Sequence, residues 1–251
     1  MSRNNQRKKA FTLIEFSIVI LVIGIVVAAI LGGNYLYNKS VLASARSLTQ
    51  SSILRSFREL YLWLETASET SISDSDRENG SVITAWNNSS NVGSIVTTIS
   101  GTDCPTYLAS GMNRTPAIRF NGNDNCYVST DGTFMNGLNL TILMSYQPEA
   151  ADAGNLITSG DSEFSLVING NGTAVQLIIQ GTPILSASLE GYTPGVPRSI
   201  LVTLTDDGAE MYIDDTLVAS SNDTTKPANI STLYIGRGYT GQIGELAILL
   251  K

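Results

Sequence analysis

Glu210 and Asp214 lie four residues apart, so on an extended strand they would share one face, and a pair of carboxylates is the apparatus that glycoside cleavage requires. The intervening Met211-Tyr212-Ile213 and the Asp214-Asp215 pair instead suit a strand running into an ordinary hairpin turn, and no cluster of acids closely spaced on one strand appears in the β region. The chain has no histidine, which removes His-based triads, His metal sites and the commonest general base together. Two cysteines, Cys104 and Cys126, are too few for a four-thiolate metal site. Asn121, Asn123, Asp124 and Asn125 could form part of an oxygen-rich calcium loop, but these residue types are also what tight turns demand, and Asp206-Asp207-Gly208 reads the same way. The expectation is therefore no catalytic residue, no metal and no cofactor. Trp86, Tyr107, Tyr127, Tyr192 and Tyr239 offer flat faces to a sugar or a partner, yet packing in the core or at an edge is the reading preferred for each.

The elements that would position these residues fall into two kinds. The first ten residues carry Arg3, Arg7, Lys8 and Lys9 and no acid, and an apolar run from Phe11 to Leu31 follows, broken only by Thr12, Glu15, Ser17 and Gly24. At about 1.5 Å per residue a helix over residues 11–31 matches the roughly 30 Å of a bilayer's hydrocarbon core. The basic leader keeps the N-terminus cytoplasmic and sends the rest of the chain across. A secretory signal would carry small residues behind the apolar run, whereas here the small residue, Ala10, precedes it, so the helix is expected to be retained. A carboxylate within such a span, Glu15, is costly and calls for a partner.

Lys8-Lys9-Ala10-Phe11-Thr12-Leu13-Ile14-Glu15 resembles the leader of type IV pilins and type II secretion pseudopilins. The resemblance covers about thirty residues. It implies cutting by a prepilin peptidase between Ala10 and Phe11, N-methylation of Phe11, and assembly with other pilin subunits. In that family the acid at the position of Glu15 neutralises the terminal amine of a neighbour, which would otherwise be an unpaired charge in an apolar core. Where the family has Gly before the cut, this chain has Ala10.

Gly32-Gly33 follows as a candidate flexible joint. Leu42, Ala45, Thr49, Ile53, Phe57, Leu60 and Leu64 then recur at spacings of three and four, which predicts that the helix extends over 11–65, with Arg46, Arg55, Arg58, Glu59 and Glu65 on a solvated face. Residues 66–81, rich in Ser, Asp and Glu, read as a linker.

From residue 82 onward short apolar or alternating segments are separated by Gly, Asn, Asp and Pro, beginning with Val82 to Trp86 and Ser94 to Ile99 and ending with Gln242 to Leu250. The fold class predicted is α+β: a long N-terminal hydrophobic helix, then an all-β jelly-roll sandwich over 82–251. The order of Ala85-Trp86-Asn87, Pro116 to Gly122, Met211 to Ala219, Leu233 to Gly236 and Gly241 to Leu246 resembles laminin-G-like domains of the concanavalin A-like class. Asp214-Asp215 stands where that family often has Asn-Gly, a better pair for the turn.

These readings combine as a type IV pilus subunit, minor or major, anchored in the inner membrane before assembly and displaying a lectin-like domain for a glycan or surface ligand. The alternatives are a type II secretion pseudopilin and a membrane-anchored carbohydrate-active enzyme. With 15 Lys and Arg against 22 Asp and Glu, a net charge of −7 argues against nucleic acid as partner. In an exported domain Cys104 and Cys126 are expected to form a disulfide. Intact mass spectrometry of the mature protein should find a chain beginning at Phe11 and lacking all four leader cations. A chain starting at Met1, or cut behind Leu31, contradicts the reading.

Overall fold

A computed structural model describes residues 13–90, 97–102, 104–150, 154–169, 174–189 and 193–251. The chain divides into two compact units, Met1–Ser40 and Val41–Lys251. Helix α1, Leu13–Gln50, supplies the described part of the first and enters the second. Gly32-Gly33 lies inside this helix without interrupting it.

The second unit begins with the last turns of α1, where Ala45 is buried. The helix expected over 11–65 ends at Gln50. Ser51 and Ser52 break it: the Ser52 hydroxyl accepts a hydrogen bond from the Leu54 amide at 3.3 Å and starts a separate single turn, Ile53–Ser56. Residues Leu60–Leu64 then form strand β1. Leu60, Leu62 and Leu64 satisfy a period of two as well as Leu60 and Leu64 satisfy a helical one, and an antiparallel partner near the C-terminus decides between them, pairing Leu62 with Ile248, Trp63 with Ala247 and Leu64 with Leu246.

The linker expected over 66–81 folds onto the sandwich instead. Ala67, Ser71, Ile72 and Asp76 are buried, and the carbonyl of Glu65 accepts from the Trp86 indole at 2.8 Å. The β unit therefore starts at β1 and not at residue 82. The strand expected at Val82 to Trp86 is only a single bridge from Val82 to Thr106, because the Thr84 amide turns away to donate to the Asp76 carboxylate at 2.7 Å. Trp86 is fully buried, as the laminin-G-like resemblance implies.

The remaining strands are β2 Thr97–Ser100, β3 Thr106–Leu108, β4 Ala117–Asn121, β5 Tyr127–Asp131, β6 Leu140–Pro148, β7 Gly154–Ser159, β8 Phe164–Ile168, β9 Ala174–Ile179, β10 Thr182–Ser188, β11 Arg198–Thr205, β12 Gly208–Ile213, β13 Thr216–Ser221, β14 Thr232–Ile235 and β15 Thr240–Leu250. Of the strand expected from Ser94 to Ile99, residues 94–96 lie outside the described residues and 97–99 belong to β2. One sheet runs β13-β12-β11-β6-β15-β4-β3, and β1 joins β15 beside the stretch that β4 leaves free. The other runs β10-β9-β8-β7-β14-β5-β2. Both sheets are antiparallel, and their inner faces meet as a jelly-roll-like sandwich.

Alternation produces this face-to-face packing directly. In β6, Leu140, Ile142, Met144 and Tyr146 are buried while Thr141, Leu143, Ser145 and Gln147 point the other way. The inner residues meet Phe164, Leu166, Leu177, Val202 and Ile235 in one core. Gly236 is required at the exit of β14: its φ is +76°, and an added Cβ would lie 2.3 Å from the Phe120 ring. A smaller cluster of Leu54, Leu60, Trp63 and Ala247 forms around the single turn and β1.

Cys104 and Cys126 are bonded, with Cα atoms 5.4 Å apart, and both are buried. The bond ties the segment before β3 to the start of β5. Changing both cysteines to serine should lower the unfolding free energy by about 3 kcal/mol, read from denaturant melts, and the unreduced native protein should resist alkylation. Labelling of both thiols without reductant would contradict the bond.

Candidate functional site

Within the first unit, residues 11–38 contain one charged side chain, Glu15, in the first turn of α1. A helix N-terminus favours a carboxylate there through its exposed amides. The predicted cut between Ala10 and Phe11, and the methylated Phe11, lie outside the described residues. Among the described side chains, the large hydrophobics from Leu13, 87% exposed, to Ile30, and then Tyr35 to Tyr37, 46% exposed, are uncovered. The helix is long and apolar enough to cross a membrane. Chemically, this segment can partition into hydrocarbon or pack against like helices, and its acid can accept a proton or pair with a cation.

In the second unit the end of α1 is held by charge and burial together. Arg46 donates from Nε to the Ala67 carbonyl at 3.0 Å and pairs with Glu69 at 2.8 Å and Asp74 at 3.4 Å. A cleft of about 140 Å³ lies under this turn, lined by Ala45, Leu48, Glu65, Thr115, Ser145 and Glu245. Glu65, expected on a solvated face, is only 2% exposed. Its carboxylate accepts from the Ala67 amide at 2.7 Å, the Ser68 amide at 3.0 Å, the Ser89 hydroxyl at 3.1 Å and the Ser68 hydroxyl. It is a satisfied structural acceptor that shapes the loop after β1. Glu245, across the same cleft, accepts from the Trp63 indole at 2.6 Å. Burial pushes the Glu245 carboxyl above the usual carboxylate range, the Trp63 hydrogen bond works against that rise, and the charge of Glu65 adds to it. Neither acid was singled out from the sequence as a functional residue, and no local pattern marks them, because their partners come from distant segments.

The acids that the sequence did single out are placed apart. Glu210 is exposed and accepts from the Tyr212 hydroxyl at 2.8 Å. Asp214 lies beyond the end of β12, in the turn, so the two do not share a strand face. Asp214 and Asp215 have φ of 48° and 64°, the left-handed pair that a tight hairpin of this hand requires. The Ser199 amide donates to Asp214 at 2.8 Å and the Arg198 guanidinium pairs with it at 2.9 Å, which offsets the weaker turn preference of Asp relative to Asn-Gly. Asn121 and Asn123 accept from the amides two residues on, at 3.0 and 2.9 Å, as turn residues do. Among the described residues no group of three or more acidic or thiol side chains could hold a metal ion.

Of the five candidate aromatics, Trp86, Tyr107 and Tyr239 are core residues, and Tyr192 lies outside the described residues. Tyr127 is half-buried on the outer face of the second sheet. It meets Tyr234 edge to face at 4.9 Å, with Arg237 5.1 Å above the Tyr234 ring. Alternation could have revealed Tyr234, since Leu233 and Ile235 on either side of it face the core.

Comparison with known proteins agrees with this division. The prokaryotic N-terminal methylation motif matches residues 5–31. No curated protein sequence matches the chain. Among solved structures, domain 4 of an extracellular arabinanase from Geobacillus stearothermophilus, in complex with arabinotriose, is similar with a TM-score of 0.51 at 14% identity, over 76% of this chain and 92% of that one. Trypanosoma rangeli sialidase in complex with sialic acid gives 0.51 at 11% identity, over 77% of this chain and 31% of the sialidase. A botulinum neurotoxin type C structure, described as entering cells through two ganglioside molecules, gives 0.50 at 12% identity over 76% of this chain and 47% of that one. The chain thus spans less than a third of the sialidase and under half of the toxin chain, and at these identities the likeness concerns the fold. The protein is an apolar helix with a methylation motif followed by a jelly-roll-like β-sandwich.

The raised Glu245 carboxyl gives a signed expectation. Its folded form holds a proton that the unfolded form releases at lower pH, so its contribution to stability is greatest below the ordinary Glu range and is lost as pH rises through the elevated value. Glu245→Gln, which can still accept from Trp63, should melt higher than wild type at neutral pH, and the difference should close in acid. Equal melting temperatures across the whole range would contradict this assignment.

Proposed function

We propose that the protein is a subunit of a type IV pilus, polymerising through α1 and carrying the sandwich outward as a binding domain. The observation that carries this reading is the uncovered apolar surface of α1 with Glu15 alone in its first turn, directly within the methylation motif. Prepilin peptidase cuts after Ala10, Phe11 is N-methylated, and Glu15 neutralises the terminal amine of a neighbouring subunit as the helices pack. Before assembly α1 holds the protein in the inner membrane, and afterward the sandwich stands outside the cell on the filament. The disulfide between Cys104 and Cys126 suits that oxidising side.

The sandwich acts by binding and not by catalysis. Glu210 is engaged with Tyr212 and Asp214 with Arg198, which leaves neither arranged opposite the other about a scissile bond. A glycan is the favoured ligand class: the arabinanase domain and the sialidase of like fold are described with bound sugars, and the domain's own surplus of acids disfavours anionic polymers.

Glu15→Ala tests the assembly role. The precursor should still insert and be cut, while its recovery in filaments sheared from cells should fall at least tenfold relative to wild type. Undiminished incorporation would refute the role given to Glu15.

A further inference from the structure

Two clefts of the sandwich, of about 490 and 360 Å³, share the side chains of Arg198 and Asp214. The larger opens where β10, the edge of one sheet, comes close to the β12–β13 hairpin of the other, and Leu189, Thr216 and Val218 line it. The smaller is lined by the same ion pair together with Asn113, Ser145, Pro197 and Ser199. Volumes of this size accommodate small ligands. The backbone around them is held in an uncommon conformation. Of the seven non-glycine residues with positive φ among the described residues, four flank these clefts: Asn113, Arg114, Asp214 and Asp215. Asn and Asp tolerate that region, but an arginine at φ 64° is unusual, and strain of this kind gathers at binding sites.

We propose that Arg198 and Asp214 form the anchor of a site for a neutral oligosaccharide, with a sugar unit in each cleft. The assignment rests on the reading of the sandwich as a binding domain and gives that domain its site. Three features of the chemistry select the ligand. The guanidinium and carboxylate, 2.9 Å apart, cancel each other's charge, so the anchor favours a ligand without net charge. Asp214 keeps acceptor capacity, since Oδ1 takes one donor from the Ser199 amide and Oδ2 one from Arg198, and its side chain is 47% exposed. A carboxylate that accepts beside a guanidinium that donates matches adjacent hydroxyls, each of which can do both. The hydroxyls of Ser145, Ser199 and Thr216 and the amide of Asn113 extend the polar set into both clefts, while Leu189, Val218 and Pro197 offer apolar surface to the C–H faces of sugar rings. Because both clefts share the anchor, a single sugar can fill only part of the site.

Titration calorimetry on the full mature chain in detergent tests the assignment, with arabinotriose, xylotriose, cellotriose and maltotriose as probes. At least one should bind saturably and with little dependence on salt. Asp214→Asn and Arg198→Gln should each weaken that binding tenfold or more. Asn tolerates the left-handed turn and can still accept from the Ser199 amide, and an unchanged melting temperature would show that the fold is kept. Tyr234→Ala, on the outer face of the other sheet, should bind as wild type does. Binding that survives both anchor variants, or is lost in Tyr234→Ala, overturns the site while leaving the binding-domain reading intact. Failure of every probe to bind overturns both. Efficient cross-linking of Ser199→Cys to a neighbouring copy within filaments would give the clefts to subunit packing and overturn the sugar site.

Discussion

Everything in the first unit depends on one constraint: the apolar side chains from Leu13 onward cannot remain in water. More than a dozen aliphatic and aromatic residues are uncovered there, and burying each is worth about 1.5–3 kcal/mol, so the unmet driving force is on the order of tens of kcal/mol. Hydrocarbon can meet it, and so can a bundle of identical helices. Glu15 distinguishes the two settings, since a carboxylate is expensive in lipid and becomes useful where a neighbouring cation needs neutralising. A helix of this composition with one acid in its first turn is thus suited to passing from a membrane into a polymer.

The sandwich has its own core and does not share that constraint. Its inner faces are filled by alternating residues from both sheets, and its connection to α1 is specific. Arg46 reaches the loop after β1, Ala45 is buried, and Glu65 organises that loop with hydrogen bonds from Ala67, Ser68 and Ser89. The last turns of α1 therefore belong to the β unit, while the residues before them are free to serve assembly. This division keeps the uncovered apolar stretch of α1 apart from the core of the sandwich, so each can serve a separate role.

Much of this was legible in sequence because the signals were local. The basic leader, the apolar run, Glu15 and the methylation motif are contiguous. The strands after residue 116 follow from alternation and from turn residues such as Asp206-Asp207-Gly208, whereas the short β3 was not read from the sequence. What was not legible depended on distant partners. Leu60 to Leu64 fits a helix as well as a strand, and only β15, nearly the whole domain away in sequence, makes it a strand. Glu65 looks like a surface acid until the amides and hydroxyls that fill its oxygens are brought together. The apparent linker over 66–81 contains one large aliphatic residue, Ile72, whose burial acts together with the hydrogen bonds to the Glu65 and Asp76 carboxylates to hold the segment inward. The hairpin read from Met211 to Asp215, by contrast, needed only local signals: Glu210 stands on β12 and Asp214 in the turn that follows it.

The central claim is that the helix polymerises and carries the sandwich to the cell surface. Immunogold labelling of sheared filaments with antibody against the sandwich tests it most directly. Gold along the filaments or at their tips is the expected result. Label confined to the membrane fraction, with surface filaments present but unmarked, would contradict the account.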